Sequence, residues 1–268
     1  MFIKWINNQP YQIMYKVFNQ PCQIMHKVFN QRRLFSTTIQ YVSDVHVSKN
    51  RIPKIDPVSD TLLIAGDIGN PNGVPVQTFL QETSKKFKKV IVVAGNHDYN
   101  CGALFNASSY NNHYKSFENM CDAYDITLLN NNVCELSDDI VIVGSTLWSQ
   151  PRIPTKFITD NKTLVNVYNH LHMHNNSLKF INNAIMRYND KKIVMLTHYV
   201  PSHKLIEDKY KGDKYNSLFA SDLDYLINNP IVAWICGHTH SVTEMQINDV
   251  YCGINAYGYK HENEGNSR

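Results

Sequence analysis

The sequence predicts an α/β fold, and three observations predict it. Apolar, β-prone runs alternate with longer helix-like stretches along the chain. Five of those runs end in a loop that begins with His, Asp or Asn. The length, 268 residues, fits one large domain with a real core, or one domain carrying an extension.

The elements follow in order. Thr38–Ser43 reads as a strand ending in Asp44-Val45-His46, and Thr61–Ala65 as a strand ending in Gly66-Asp67. The same form returns at Val90–Ala94 before Gly95-Asn96-His97-Asp98, at Ile193–Leu196 before Thr197-His198, and at Ile231–Cys236 before Gly237-His238-Thr239-His240. Further strands are expected at Ile140–Val143, Thr243–Ile247 and Val250–Ile254. Helices are expected at Val76–Lys88, Asn112–Tyr124, roughly Leu164–Tyr188 and Ser217–Ile227. The lysines at 85, 86, 88 and 89 suit the negative end of the first helix; a phosphate-attracting patch is the sharper alternative.

Residues 1–36 stand apart as an N-terminal extension, followed by the catalytic-type domain over 37–268. Gln9–Asn19 recurs almost unchanged as Gln20–Asn30, an 11-residue tandem duplication too short in copy number for a solenoid. No acidic residue precedes Asp44, while Lys4, Lys16, Lys27, Arg32 and Arg33 are basic, which is the charge signature of a transit peptide. Arg33-Leu34-Phe35-Ser36-Thr37 also resembles a presequence cleavage site. Two readings stay open, a surface-attached or flexible appendage on a cytoplasmic protein and a mitochondrial import signal.

Composition narrows the function classes. With 43% hydrophobic and 18% charged residues the chain is an ordinary globular protein rather than a disordered one. A net charge of +3 and the lack of a basic stripe give no indication of nucleic acid as partner. The six scattered cysteines, without a C-x-x-C pair, read as reduced thiols of an intracellular protein. No apolar run approaches the roughly 20 residues of a membrane helix.

Taken singly, each polar cluster is weak evidence, because Asp and Gly after a strand commonly serve turns. Five together are different. Loops at the carboxyl ends of neighbouring strands let a rigid sheet converge side chains distant in sequence, and turn chemistry does not require histidine at the other positions. Carboxylate, imidazole and amide donors without thiolate suit Mn²⁺, Fe²⁺, Zn²⁺ or Mg²⁺ rather than a structural zinc site. Gly66, Gly95 and Gly237 are expected to serve turns.

In this order the clusters D-x-H, G-D, G-N-H-D, H and G-H-x-H resemble the calcineurin-like metallophosphoesterase superfamily, over residues 38 to about 259. The resemblance implies a four-layer α/β/β/α sandwich of two mixed sheets. It implies two divalent metal ions, with Mn²⁺ favoured, Asp44, His46 and His240 on the first, Asn96, His198 and His238 on the second, and Asp67 bridging. Hydrolysis of a phosphate mono- or diester substrate by a hydroxide bridging the metals would follow. By the same analogy the catalytic residues are His97, which would protonate the leaving oxygen or hold the phosphate as a cation, and Asp98, which would accept its other ring N–H. A catalytically silent metal-binding scaffold and a nuclease are the alternatives.

Several residues outside the clusters carry expectations. His170, His172 and His174 read as exposed helix positions, with only His170 and His174 on one face. His203 reads as a solvent-facing loop residue, with substrate contact as the alternative. Tyr99 and Asn100 are placed to line a pocket. Residues 145–190 form an insertion that either overhangs the site and selects substrate or covers the sheet.

Overall fold

The fold is described from a computed structural model, which describes residues 11–16, 26–31, 38–99, 107–152, 157–160 and 163–259. The chain runs β1 (Tyr11–Lys16), β2 (His26–Gln31), β3 (Ile39–Val42), β4 (Thr61–Ala65), α1 (Val74–Ser84), β5 (Lys89–Val93), α2 (Asn96–Tyr99), α3 (Ala107–Ala123), β6 (Thr127–Leu129), β7 (Asn132–Ser137) and β8 (Ile140–Ser145). It continues through β9 (Phe157–Asp160), β10 (Thr163–Asn166), α4 (Val167–Arg187), β11 (Lys192–Thr197), four short 3-10 turns, β12 (Ile231–Cys236), β13 (Val242–Ile247) and β14 (Val250–Asn255).

Two sheets form. The first has the order β1-β2-β3-β4-β5-β6 and the second β13-β14-β12-β11-β8-β7, while β9 and β10 pair only with each other. Strands β3 to β6 are parallel, with β2 antiparallel beside β3 and β1 antiparallel beside β2. In the second sheet β8, β11, β12 and β14 are parallel and the two edges, β7 and β13, are antiparallel. The copies of the N-terminal duplication each contribute one strand, the first from near the start of its copy and the second from the end. Residues 32–37, including the cleavage-like run, lie outside the described residues.

The alternation within each strand explains the layering. In β4, Leu62 and Ile64 join the cluster formed with Val76, Phe79, Leu80, Phe117 and Cys121 of α1 and α3. Their neighbours Leu63 and Ala65 point the other way, into a cluster with Ile142, Val194, Leu196, Ala233 and Ile235 of the second sheet. The outer face of that sheet packs Val141, Val143, Ile193 and Met195 against Ile181 and Ala184 of α4. Strands buried on both faces need continuous apolar runs, which is why these segments lack a polar alternation. The result is the α/β/β/α sandwich.

The sheets are joined where the site will lie. Ser43 N donates to Asn255 O at 3.0 Å, and Asn255 Nδ2 donates to Tyr41 O at 2.9 Å. Between the layers the hydroxyls of Tyr41 and Tyr251 meet at 2.6 Å, and Tyr251 Oη donates to Glu244 Oε2 at 3.1 Å, so the polar ends of two buried rings are satisfied. These bonds bring the ends of β3 and β14 together.

Some elements differ from the sequence expectation. The predicted helix over 217–227 is instead two 3-10 turns, Asn216–Leu218 and Asp224–Leu226. Its amides are taken by the neighbouring chain: Ser221 N donates to Val200 O at 3.0 Å and Leu223 N to Pro201 O at 2.9 Å. Helix α1 ends at Ser84, so the lysine group follows the helix rather than completing it. These lysines are engaged: Lys85 with Glu82 at 2.7 Å, Lys86 with Asp56 at 3.2 Å, Lys88 with Asp60 at 2.7 Å, and Lys89 with Glu135 O at 3.2 Å. In the 145–190 segment α4 covers the second sheet through Ile181 and Ala184. Among the described residues the cysteines at 121, 134, 236 and 252 are free thiols, and no helix is long and apolar enough to cross a membrane.

The close approach of the sheets yields a stability prediction. A Cβ on Gly144 would stand 2.3 Å from Leu129 Cβ of the facing sheet. Gly144→Ala is therefore expected to destabilise the fold by about 1–3 kcal/mol through overpacking. A lowered denaturant midpoint with an unchanged slope would show it, and an unshifted midpoint would refute it.

Candidate metal centre

Each strand end delivers its polar residues to one edge of the sandwich. Asp44 and His46 follow β3, Asp67 follows β4, Asn96 and His97 open α2 after β5, His198 follows β11, and His238 and His240 follow β12. The paired sheet ends draw them together. Gly237 N donates to His198 O at 2.9 Å, and His238 N donates to both oxygens of Asp44 at 3.0 and 3.1 Å.

Two groups of candidate ligands result. Asp44, His46, Asp67 and His240 each offer one donor atom, all within 4.8 Å of one another; so do Asp67, His198 and His238. Asp67 belongs to both. Asn96 Oδ1 joins the second group, 2.9 Å from His198 Nε2. The sequence-predicted ligand set is thus assembled in space without exception.

Backbone conformation marks the same residues. Asp44 (φ 52°), His46 (46°), Asp67 (55°), His238 (72°) and His240 (53°) all lie in the left-handed region. For a residue with a Cβ this region costs roughly 1–2 kcal/mol, and such outliers cluster where function over-determines the backbone. Glycine would relieve them. Five further non-glycine residues with positive φ, Asp125, Asn131, Leu147, Asn248 and Asp249, lie outside the candidate ligand set.

The donors are arranged for a cation. Asp67 Oδ1 accepts from His97 N at 2.9 Å, but Oδ2 is buried without a hydrogen-bond partner among the described residues. An uncompensated buried carboxylate oxygen is costly unless a positive charge meets it. The ring nitrogens of His46 and His240 face each other at 2.9 Å. His198 Nδ1 donates to Ala65 O at 2.8 Å, which turns Nε2 toward Asn96 Oδ1 and, at 3.4 Å, toward Asp67 Oδ1. A backbone carbonyl that accepts from the far ring nitrogen in this way fixes the tautomer of a metal-binding imidazole. Converging lone pairs, an orphaned carboxylate oxygen and an all N/O donor set fit divalent metal ions.

The protonation pattern agrees. Burial lowers His46 to about 3, and burial with His198 holds His238 well below the ordinary histidine value, so both imidazoles are neutral donors. Burial works against charge on His198 too, but Asp67 and Asp44 outweigh it and raise it to about 9. Burial opposes ionisation of Asp67, yet His198, His97 and His46 together hold it well below the carboxylate range. Asp67 and His198 thus each favour the charged form of the other.

Asp98 plays a different part from the one analogy gives it. Its carboxylate accepts four backbone amides: Asp67 N (2.9 Å) and Gly95 N (2.8 Å) on Oδ2, Ile68 N and Gly69 N (both 2.9 Å) on Oδ1. These take up its acceptor sites, and none of its hydrogen bonds goes to the His97 ring. Asp98 ties the loop after β4 to the loop after β5 and so holds Asp67 in place. Burial, with the Asp67 charge adding, pushes its pKa up to about 7 against the pull of those amides. Gly95 is required by the same proximity, since a Cβ there would stand 2.1 Å from Asp67 Oδ1; of the three glycines assigned to turns, only Gly66 has a positive φ (86°).

Other expectations are corrected. Tyr99 is buried with its hydroxyl 3.1 Å from Thr146 Oγ1 and its ring stacked on Tyr114, so it faces the core and not a pocket. Asn100 lies outside the described residues. His170 and His174 are buried rather than exposed, because the face of α4 that they share turns inward. His170 Nε2 meets Ser149 Oγ at 3.1 Å and His174 Nδ1 meets Trp148 O at 2.5 Å, while His172 remains exposed. Burial lowers His170 to about 3, leaving it a neutral core imidazole. His203 pairs with Asp222 at 3.4 Å. Aromatic walls escaped the sequence reading: Tyr199 packs on His238 at 4.0 Å between ring centroids, Phe219 on His238 at 5.1 Å, and Tyr259 on His46 at 4.2 Å. Only Tyr199 carried a signal, its place directly after His198.

With this geometry in hand, the comparisons with known proteins are decisive on ancestry. The family model of the calcineurin-like phosphoesterases matches residues 35–242. The chain belongs to that family. An uncharacterized protein of Acanthamoeba polyphaga mimivirus is 30% identical over 262 residues, covering 84% of this chain and 92% of its own length. Among solved structures, the phosphopantetheinyl hydrolase of Mycobacterium tuberculosis is similar in fold, at 15% identity, with a TM-score of 0.64 over 86% of this chain and 92% of that one. Calcineurin-like phosphoesterases act on phosphate esters, and the His/Asp groups at the sheet edge are where such a protein would hold its divalent metals.

Asp98→Ala tests the anchoring role. Four amides would lose their acceptor, and each buried unsatisfied amide costs about 1–3 kcal/mol, so the variant is expected to lose several kcal/mol, seen as a lowered thermal midpoint. A variant as stable as the parent, with slower turnover only, would restore the role as partner of His97.

Proposed function

We propose that the protein hydrolyses a phosphate mono- or diester with two divalent metal ions, Mn²⁺ by preference. The observation that carries this reading is the shared, buried Asp67, whose Oδ2 has no hydrogen-bond partner among the described residues and which belongs to both candidate ligand groups. Asp44, His46, Asp67 and His240 would hold one ion; Asp67, Asn96, His198 and His238 would hold the other. Bound there, the ions supply the positive charge that acidifies water and stabilises charge developing on the phosphoryl oxygens.

The chain's own groups do the rest. Asp67 offers one oxygen to each group and its negative charge offsets cation repulsion. Asn96 contributes a neutral carbonyl oxygen, which leaves the site cationic enough to attract a phosphate. His97 sits at the mouth, its side chain 20% exposed and its Nε2 3.8 Å from Asp67 Oδ2. Its backbone N–H is pinned to Asp67 Oδ1, so the imidazole is held at the rim, where it delivers a proton to the leaving oxygen. Burial of Asp44 and Asp67 excludes water from the far side of the site.

Purified protein supplied with Mn²⁺ is expected to cleave a chromogenic phosphate ester, and Asp67→Asn or His238→Ala to abolish turnover. Unchanged activity in either variant would overturn the site assignment. His97→Ala should retain its metals and lose about 10²- to 10⁴-fold in kcat, most for substrates with poor leaving groups. Loss of bound metal instead would make His97 a ligand.

A further inference from the structure

The last described residues of the chain cross the metal centre. After β14 the backbone leaves the sheet as a strap: Ala256 N donates to Ser241 O at 3.1 Å, Tyr257 N to Ser43 O at 2.8 Å and Gly258 N to Asp44 O at 3.0 Å. Arg51 clamps it from outside. Its guanidinium lies 4.1 Å over the Tyr257 ring and donates to Gly258 O at 2.5 Å and to Tyr257 O at 3.4 Å.

The strap ends in Tyr259, whose ring stacks on His46 at 4.2 Å and 22° and meets His240 edge-on at 4.9 Å and 62°. His46 and His240 are the two imidazoles of the first ligand group, and their rings are 4.7 Å apart. The second group is braced independently. Tyr199 and Phe219 pack on His238, and the Ala65 carbonyl holds His198. Each group therefore has its own aromatic support, from different segments of the chain.

We infer that Tyr259 is a positioning residue that orients His46 and His240 for the first metal ion, delivered there by a C-terminal strap that Arg51 locks to the end of β3. The inference rests on the two-metal reading and adds a selectivity to it. The ring, rather than the hydroxyl, provides the stacking surface. Removing it disorders one ligand pair and spares the other.

Titration of the metal-free full-length protein with Mn²⁺ alone, by calorimetry and by metal analysis after dialysis, tests this. The unsubstituted protein is expected to take two equivalents. Tyr259→Ala should keep one equivalent at parental affinity and weaken the other by about 10–100-fold, the usual effect of losing an outer-shell support. Tyr259→Phe should bind both as the parent does, and Arg51→Gln, which loosens the strap without touching the rings, should weaken the same single site. Two parental affinities in Tyr259→Ala would overturn the inference, as would equal weakening of both sites. So would a raised KM with unchanged metal binding, which would make the ring a substrate contact. Fewer than two equivalents in the unsubstituted protein would overturn the two-metal reading itself, a failure visible before any substitution is made.

Discussion

A carboxylate buried between two sheets, with one oxygen lacking a hydrogen-bond partner among the described residues, is unstable unless positive charge is brought to it. Asp67 is that group, and much of the surrounding structure serves to hold it and to surround it with groups that can share a cation. Asp98 spends its carboxylate on four amides so that the loop bearing Asp67 cannot relax away from the loop bearing Asn96 and His97. Gly95 leaves room for Asp67 where any side chain would collide. Asp67 and Asp44 together outweigh the cost of burying charge on His198 and raise its pKa.

The edge site exists because the sheets are rigid and close. Strands buried on both faces have no freedom to shift register, since a one-residue slip would exchange the face toward the helices for the face toward the other sheet. Bonds from Ser43 to Asn255 and from Asn255 to Tyr41 then fix the ends of β3 and β14 against each other. On that frame the chain can tolerate five residues with left-handed backbone in one small region. Local conformational preference is overridden there by the packing of two layers, a sign that the loops are held for their side chains.

The candidate ligands were legible in the sequence because metal chemistry demands particular side chains. Asp44, His46, Asp67, Asn96, His198, His238 and His240 fall at strand ends, and an apolar run followed by such a residue is a local pattern. The aromatic supports had no such pattern. Tyr259 and Phe219 reach the site by tertiary contact alone, and any ring in a loop looks alike in sequence. The Asp98 assignment went astray because adjacency to His97 suggested a side-chain pair, whereas the short helix α2 turns that carboxylate toward backbone amides. His170 and His174 were placed on the right common face of α4 but on the wrong side of it. Polarity argues for solvent, but Ser149 and the Trp148 carbonyl satisfy these rings inside.

By itself the sequence determined the α/β class, the strands that carry the candidate ligands and the chemical identity of those residues, since each depends on local composition and spacing; the short or edge strands β1, β2, β6, β7, β9 and β10 were not legible in it. The resemblance already implied that Asp67 is the shared carboxylate; the tertiary structure alone decided that Asp98 is structural and which rings pack on the histidines. Those roles depend on where hydrogen bonds and contacts finally go. Asp67 and Asp98 are the same residue type on neighbouring loops, but four backbone amides satisfy Asp98, whereas Asp67 Oδ2 has no hydrogen-bond partner among the described residues.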